Sequence, residues 1–193
     1  QFQGNNNGWF YVMDSGLPAS APDIAQDIPF KINGTIAASN NLAKFLDFNG
    51  DGKTDFAVTR FGPTPTSPTN WFILPNTANP TYYQVDFGLR AGTSVLFSGI
   101  FTLDRIVPGD YDGDGKTDLG VYRDGTWYLL RSQAGFTGFQ FGIATDRAAP
   151  GDFDGDGKSD AAVYRDGTWY ILQSQNGFTS AQFGIAGDRT IPA

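Results

Sequence analysis

Three stretches of the chain carry the chemistry: DFNGDGKTD at Asp47 to Asp55, DYDGDGKTD at Asp110 to Asp118, and DFDGDGKSD at Asp152 to Asp160. Each places hard oxygen donors at loop positions 1, 3, 5 and 9, a pattern that suits a hard divalent cation. Calcium takes about six to eight oxygen ligands at about 2.3 to 2.6 Å. In the second loop Asp110, Asp112, Asp114 and Asp118 offer carboxylates and Lys116 its backbone carbonyl. The third loop offers Asp152, Asp154, Asp156, the Lys158 carbonyl and Asp160. The first offers Asp47, Asn49, Asp51, the Lys53 carbonyl and Asp55, with a neutral amide in place of one carboxylate. Glycines such as Gly113 and Gly115 permit the tight wrap. An EF-hand closes its loop with a bidentate acid at position 12, whereas that position here is Val58, Val121 or Val163. The ninth-position aspartate therefore takes the closing role, and the chain runs on into a strand. Magnesium suits the pattern less well because it demands a stricter octahedron and keeps its water. A solvated Asp-Gly turn that binds nothing does not account for three copies in register. The expected cofactor is about three structural calcium ions, without which the clustered carboxylates repel one another and the turn opens.

Composition removes most other chemistry. All 20 acids are Asp, and the 193 residues include no Glu, His or Cys. Ser-His-Asp and Cys-His machinery, imidazole or thiolate zinc sites and disulfides are thereby excluded. Outside the loops, Asp104, Asp124, Asp146, Asp166 and Asp188 sit at repeated turn positions, and Asp14, Asp23, Asp27 and Asp86 show no partner pattern. A two-carboxylate glycosidase is not expected, and the chain reads as a non-enzyme. The loops hold 11 of the 20 acids, leaving 9 against 13 bases. The formal charge of −7 thus becomes about −1 with three calcium ions bound. No nucleic-acid partner is expected, and no stretch approaches the roughly 18 to 20 apolar residues of a membrane span.

The elements that must position the loops repeat with them. Asp110 and Asp152 lie 42 residues apart, and the match continues through VYRDGTWYLLRSQAGFTGFQFGIATDR and VYRDGTWYILQSQNGFTSAQFGIAGDR. A period of about 42 points to a propeller or another stacked array. DLGVYR and TWYLLRS alternate in polarity and are joined by Asp124-Gly125, as Asp166-Gly167 joins the next copy, a two-residue hairpin signal. GFQFGIA and RIVPGDY supply two further short strands, giving four per unit. The first unit is longer through FGPTPTSPTN, expected as an exposed stiff loop, and through LRAGTSVLFSGIFT, expected as an extra strand or contact surface. NNLAKFL aligns with DRIVPGD and is read as a strand. The expected organisation is an incomplete blade with an irregular insertion at 1–41, calcium-loop blades at 42–101, 102–143 and 144–187, and the start of a further or closing blade at 188–193. Trp9, Trp71, Trp127 and Trp169 mark four units, and packing is expected of them rather than sugar stacking. Arg105, Arg147 and Arg189, each after an Asp, and Arg60, Arg123 and Arg165 are expected to make structural bonds between units. Asn33-Gly34-Thr35 is read as a turn rather than a glycosylation site, and sugar on the Thr64 to Thr69 loop as a minor expectation.

GDYDGDGKTDLGVYRDGTW and GDFDGDGKSDAAVYRDGTW, with LDFNGDGKTDFAVTR and the pairs Phe87-Gly88, Phe141-Gly142 and Phe183-Gly184, resemble the FG-GAP/VCBS repeat family of integrin-type propeller blades. The resemblance implies an all-β, extracellular propeller-type repeat of four-stranded antiparallel blades with one calcium loop per blade. It also implies adhesion, ligand recognition or service as a module attached to an enzyme. About four units are present where the family often has seven, with the first split between the termini. The expected function is a secreted, structural or adhesive calcium-binding protein that assembles through unpaired terminal strands into an oligomer or filament. The alternative is a carbohydrate- or protein-binding module cut from a longer chain. The start at Gln1 without Met fits a processed product, such as one from which a signal peptide has been removed.

Overall fold

The computed structural model describes residues 2–4, 10–12, 46–64, 66–90 and 104–191. All regular structure among them is antiparallel β. No helix among the described residues is long and apolar enough to cross a membrane. The chain forms two compact units, Gln1–Ser39 and Asn40–Ala193. In the first, β1 (Phe2–Gly4) pairs with β2 (Phe10–Val12). Trp9, the Asn33 turn, the NNLAKFL segment up to Phe45 and residues 91–103 of the apolar insertion lie outside the described residues.

The second unit is a series of three meanders. The first sheet comprises β3 (Phe56–Phe61), β4 (Pro68–Leu74) and β5 (Tyr83–Leu89). The second comprises β6 (Arg105–Ile106), β7 (Leu119–Arg123), β8 (Thr126–Arg131) and β9 (Gly135–Gln140). The third repeats it as β10 (Arg147–Ala148), β11 (Ala161–Arg165), β12 (Thr168–Gln173) and β13 (Gly177–Gln182). The fold is the expected all-β repeat of propeller-type antiparallel blades.

The β7–β8 and β11–β12 turns show why Asp-Gly recurs. Asp124 and Gly125 have φ of 50° and 87°, and Asp166 and Gly167 have 47° and 90°. Two left-handed residues make a type I′ turn, whose twist matches that of the strands it joins. The register runs without a slip from Arg123↔Thr126 to Leu119↔Leu130. In the first sheet a longer Pro/Thr-rich loop replaces this turn, yet the β3–β4 register also runs without a slip from Phe61↔Thr69 to Phe56↔Leu74, and the shift between Pro68 and Asn70 lies in the β4–β5 pairing.

The Phe-Gly pairs lock the last strand of each sheet in place, Phe87-Gly88 near the end of β5 and Phe141-Gly142 and Phe183-Gly184 just after β9 and β13. Trp127 Nε1 donates to the Phe141 carbonyl at 2.9 Å, as Trp71 does to Phe87 at 2.9 Å and Trp169 to Phe183 at 3.2 Å. Gly142 has φ +107°, and a Cβ there would stand 2.6 Å from the Tyr122 hydroxyl, so only glycine fits. Trp71 and Trp127 are buried, as expected of core residues, and Trp169 is half-buried.

Two cores join successive sheets. Phe48, Trp71 and Ile73 meet Leu119 and Val121, while Trp127 and Leu129 meet Ala161 and Val163. Strands β7 and β11 are therefore covered on both faces and buried at four consecutive positions. Each fully buried valine stabilises by about 1.5 to 3 kcal/mol over an exposed one. Strand β3 has no such cover among the described residues, and Phe56 and Val58 are 64% and 65% exposed.

The repeated Asp-Arg dipeptides act through the aspartate. Arg123 donates Nε and Nη2 to Asp104 at 2.6 and 2.7 Å, and Leu89 N of the first sheet donates to the same carboxylate at 2.7 Å. Asp146 likewise receives Arg165 at 2.5 and 2.7 Å and Ile143 N at 2.9 Å. The expected bonding arginines are thus Arg123 and Arg165, whereas Arg105 lies over the Tyr122 ring at 5.9 Å. Hydrogen bonding from Asp104 holds the Arg123 guanidinium above its ordinary pKa.

Candidate metal centre

Each acidic loop is pinched at its base by the strands it joins. A bridge pairs Gly109 with Asp118, and another pairs Gly151 with Asp160. In the first loop Asp55 N donates to the Leu46 carbonyl at 2.7 Å. Pinching brings position 9 back beside position 1.

In the second loop Asp110 organises the wrap, accepting from Gly113 N at 2.7 Å and Gly115 N at 2.9 Å. Asp114 accepts from Lys116 N at 2.9 Å and from the Ser132 hydroxyl at 2.6 Å. Asp118 is buried and accepts from Tyr111 N at 2.9 Å and Ser132 N at 2.6 Å. Asp112 turns one oxygen, Oδ2, to Ala134 N at 2.8 Å and Gln133 N at 3.1 Å. Its other oxygen, Oδ1, is buried and has no partner. Oxygens of Asp110, Asp112 and Asp118 lie within 4.8 Å of one another.

The third loop repeats this design. Asp152 accepts from Gly155, Asp156 and Gly157 N at 2.7, 3.1 and 2.9 Å. Asp154 accepts from Gln175 N and Asn176 N through Oδ2, and Asp154 Oδ1 is buried without a partner. Asp156 accepts from Lys158 N at 2.8 Å and from the Ser174 hydroxyl, and Asp160 from Phe153 N and Ser174 N. Here the carboxylates within 4.8 Å are those of Asp152, Asp154 and Asp156. Asp114 and Asp160 fall outside these trios, Asp114 accepting from the Ser132 hydroxyl and Asp160 from Ser174 N.

The first loop differs. Asp47 accepts from Gly50 at 2.7 Å and Gly52 at 2.8 Å, and Asp55 from Phe48 N and Asn76 N, so the wrap is kept. Asn49 turns its amide oxygen onto Asp51 N at 2.8 Å, and the Lys53 ammonium lies 3.7 Å from Asp51. Its carboxylates form no trio among the described residues. The side chains of Lys116 and Lys158 lie over Gly50 and Gly113 of the neighbouring loop.

Ser132 and Ser174 were not singled out by the sequence reading. Both sit in the turn of the following hairpin and reach back 14 residues to the ninth-position aspartate and 18 to the fifth. The repeated Ser-Gln dipeptide was their only signal in the chain.

Burial dominates the electrostatics. It pushes Asp118 up to about 6 against the N–H bonds from Ser132 and Tyr111, with the Asp112 and Asp110 charges adding to the rise. It also raises Asp110 and Asp160. Asp156 moves the other way because the Ser174 hydroxyl bonds its charged form. An inward, partnerless carboxylate oxygen amid desolvated acids is costly alone, and an all-oxygen donor set of this kind suits a hard cation. The residues of the second and third loops fit calcium on these two grounds.

No curated protein and no solved structure matches the chain. Residues 47–121 match the family model described as the FG-GAP-like repeat. That match runs from the first acidic loop through the second and into β7, so this stretch of the chain is similar to an FG-GAP-like repeat, and its strands pair antiparallel.

Proposed function

We propose that this is a secreted or cell-surface, non-enzymatic, calcium-stabilised repeat protein with a structural or adhesive role, which associates with copies of itself. The unpartnered, buried Oδ1 atoms of Asp112 and Asp154 carry the calcium reading. The bare β3 face supports the self-association. Blades at 42–101, 102–143 and 144–187 would each hold one ion. The ligands would be Asp47, Asn49, Asp51, the Lys53 carbonyl and Asp55, then Asp110, Asp112, Asp114, the Lys116 carbonyl and Asp118, then Asp152, Asp154, Asp156, the Lys158 carbonyl and Asp160. A bound ion supplies two positive charges against carboxylates that otherwise repel, and so holds the blade edge closed.

The test follows from Asp118, whose folded pKa of about 6 lies above its ordinary 3.8. Without cation, the folded chain binds this proton more tightly than the unfolded chain. The ion-free protein therefore gains stability as pH falls through about 6 toward 3.8, and the ionised carboxylate costs stability above that window. Calcium needs the ionised form and competes with the proton. Calorimetric titration is expected to show affinity falling about tenfold for each pH unit below 6 at the second loop. An affinity that stays flat to pH 5 would count against the assignment.

A further inference from the structure

The three sheets of the second unit are joined by one contact made twice, and the contact has two halves. The donating half lies on the second strand of the blade: Val121 and Arg123 on β7, Val163 and Arg165 on β11. The receiving half lies at the end of the last strand of the neighbour. There a glycine in the left-handed region, Gly88 or Gly142, leaves room for the valine. A Cβ at either position would stand 3.0 Å from Val121 Cγ1 or 3.2 Å from Val163 Cγ1. Both valines are completely buried. Beside each glycine, Asp104 or Asp146 receives the guanidinium in a two-bond fork. The acidic loops add a third link, Thr117 N to the Asp47 carbonyl and Ser159 N to the Asp110 carbonyl, both at 2.6 Å.

Each half occurs once more without its counterpart. Strand β3 carries Val58 and Arg60 at the places of Val121 and Arg123. Val58 is 65% exposed, and Arg60 is exposed over the Phe72 ring at 4.8 Å, with no ion pair among the described residues. Beyond β13, Gly184 with φ +111° and Asp188 repeat Gly142 and Asp146. Asp188 accepts from Ile185 N at 2.9 Å, as Asp146 does from Ile143 N, but meets no cation among the described residues. The three atoms nearest a Cβ at Gly184 belong to Tyr164 and Asp188, where at Gly142 the third belongs to Val163. A groove of about 210 Å³ opens at Gly184, lined by Trp169, Phe183 and Ile191 among others. Phe183 and Ile191 are 80% and 88% exposed. Gly155 also lies bare where Gly50 and Gly113 are covered by lysine stems.

The β3 face thus carries an exposed valine and an exposed arginine, and the other face carries the left-handed glycine and the aspartate that such a pair meets at the inner junctions. We propose that the β3 face of one copy docks on the Gly184–Asp188 face of a second copy, with Val58 seated against Gly184 and Arg60 forked onto Asp188. The copies then join head to tail through the contact that already joins sheets within one chain. Because the faces differ, the association is heterologous and extends into a ring or an open fibre. The inference rests on the self-association reading above and supplies its contact.

Charge reversal tests it, since both side chains are exposed and their replacement leaves the cores intact. By velocity sedimentation of the full chain in millimolar calcium, the wild type is expected to gain mass with concentration. Arg60→Asp and Asp188→Arg should each weaken association about tenfold or more, because each sets like charges face to face. An equimolar mixture of the two variants, or both substitutions in one chain, should restore it. A wild type that stays monomeric at every concentration overturns the contact and the self-association reading together. Association that both single variants leave unchanged, or that the mixture fails to restore, overturns this contact alone.

Discussion

Stripping calcium with excess EDTA is expected to lower the thermal midpoint by roughly 15 °C or more. A ligand held only by the folded state stabilises it by about 2.7 kcal/mol at a hundredfold excess over its dissociation constant, so three sites contribute about 8 kcal/mol. Chains of this size shift by roughly 2 to 4 °C per kcal/mol. The effect should be large because the loops are part of the packing rather than appended to it. Asp118 and Asp160 are buried under the blade, and their oxygens tie each loop to the following hairpin through Ser132 and Ser174. Repulsion that opens a loop therefore also releases a strand turn and the loop-to-loop bond from Thr117 or Ser159. Scanning calorimetry in calcium, in EDTA and in magnesium checks this. Magnesium should recover only part of the loss, since these loops cannot meet its tighter octahedron.

Arg123→Met is expected to cost about 3 to 5 kcal/mol, the usual penalty for removing one partner of a buried ion pair. The Asp104 side chain is completely buried and, among the described residues, would keep only the Leu89 N–H as a partner. Arg165→Met should cost less, because the Arg165 side chain is 34% exposed and water reaches its site. Urea unfolding measures both. Pairing Arg123→Met with Asp104→Leu should recover much of the loss, since the buried charge then disappears with its partner. A double variant no more stable than the single one would show that the pair organises the junction between sheets rather than merely neutralising itself.

The wrap of the acidic loops was legible in the sequence because it is local: Asp110 accepts from Gly113 N and Gly115 N, three and five residues on. The Asp-Gly turns were legible for the same reason, their two left-handed residues being adjacent. What escaped was set by the hairpins. Ser132 reaches Asp118 only after β7 and β8 have folded back on each other, and nothing in the intervening residues marks the serine. Arg123 meets Asp104 across 19 residues, so the sequence marked both residues as structural but did not pair them. The burial of β7 and β11 on both faces depends on the neighbouring sheet, whereas their sequences read as ordinary strands. The first loop's departure was half visible as Asn49. Its Lys53 contact with Asp51 was not.

Calcium titration of the full chain by calorimetry at neutral pH, with a variant carrying Asp112→Ala and Asp154→Ala beside it, tests the central claim most directly. The account predicts about three ions per wild-type chain. The second and third loops should bind more tightly than the first, which lacks a gathered carboxylate trio. The two substitutions should abolish the tight pair. A wild type that takes up no calcium, or a variant that binds it as tightly as the wild type, would contradict the account.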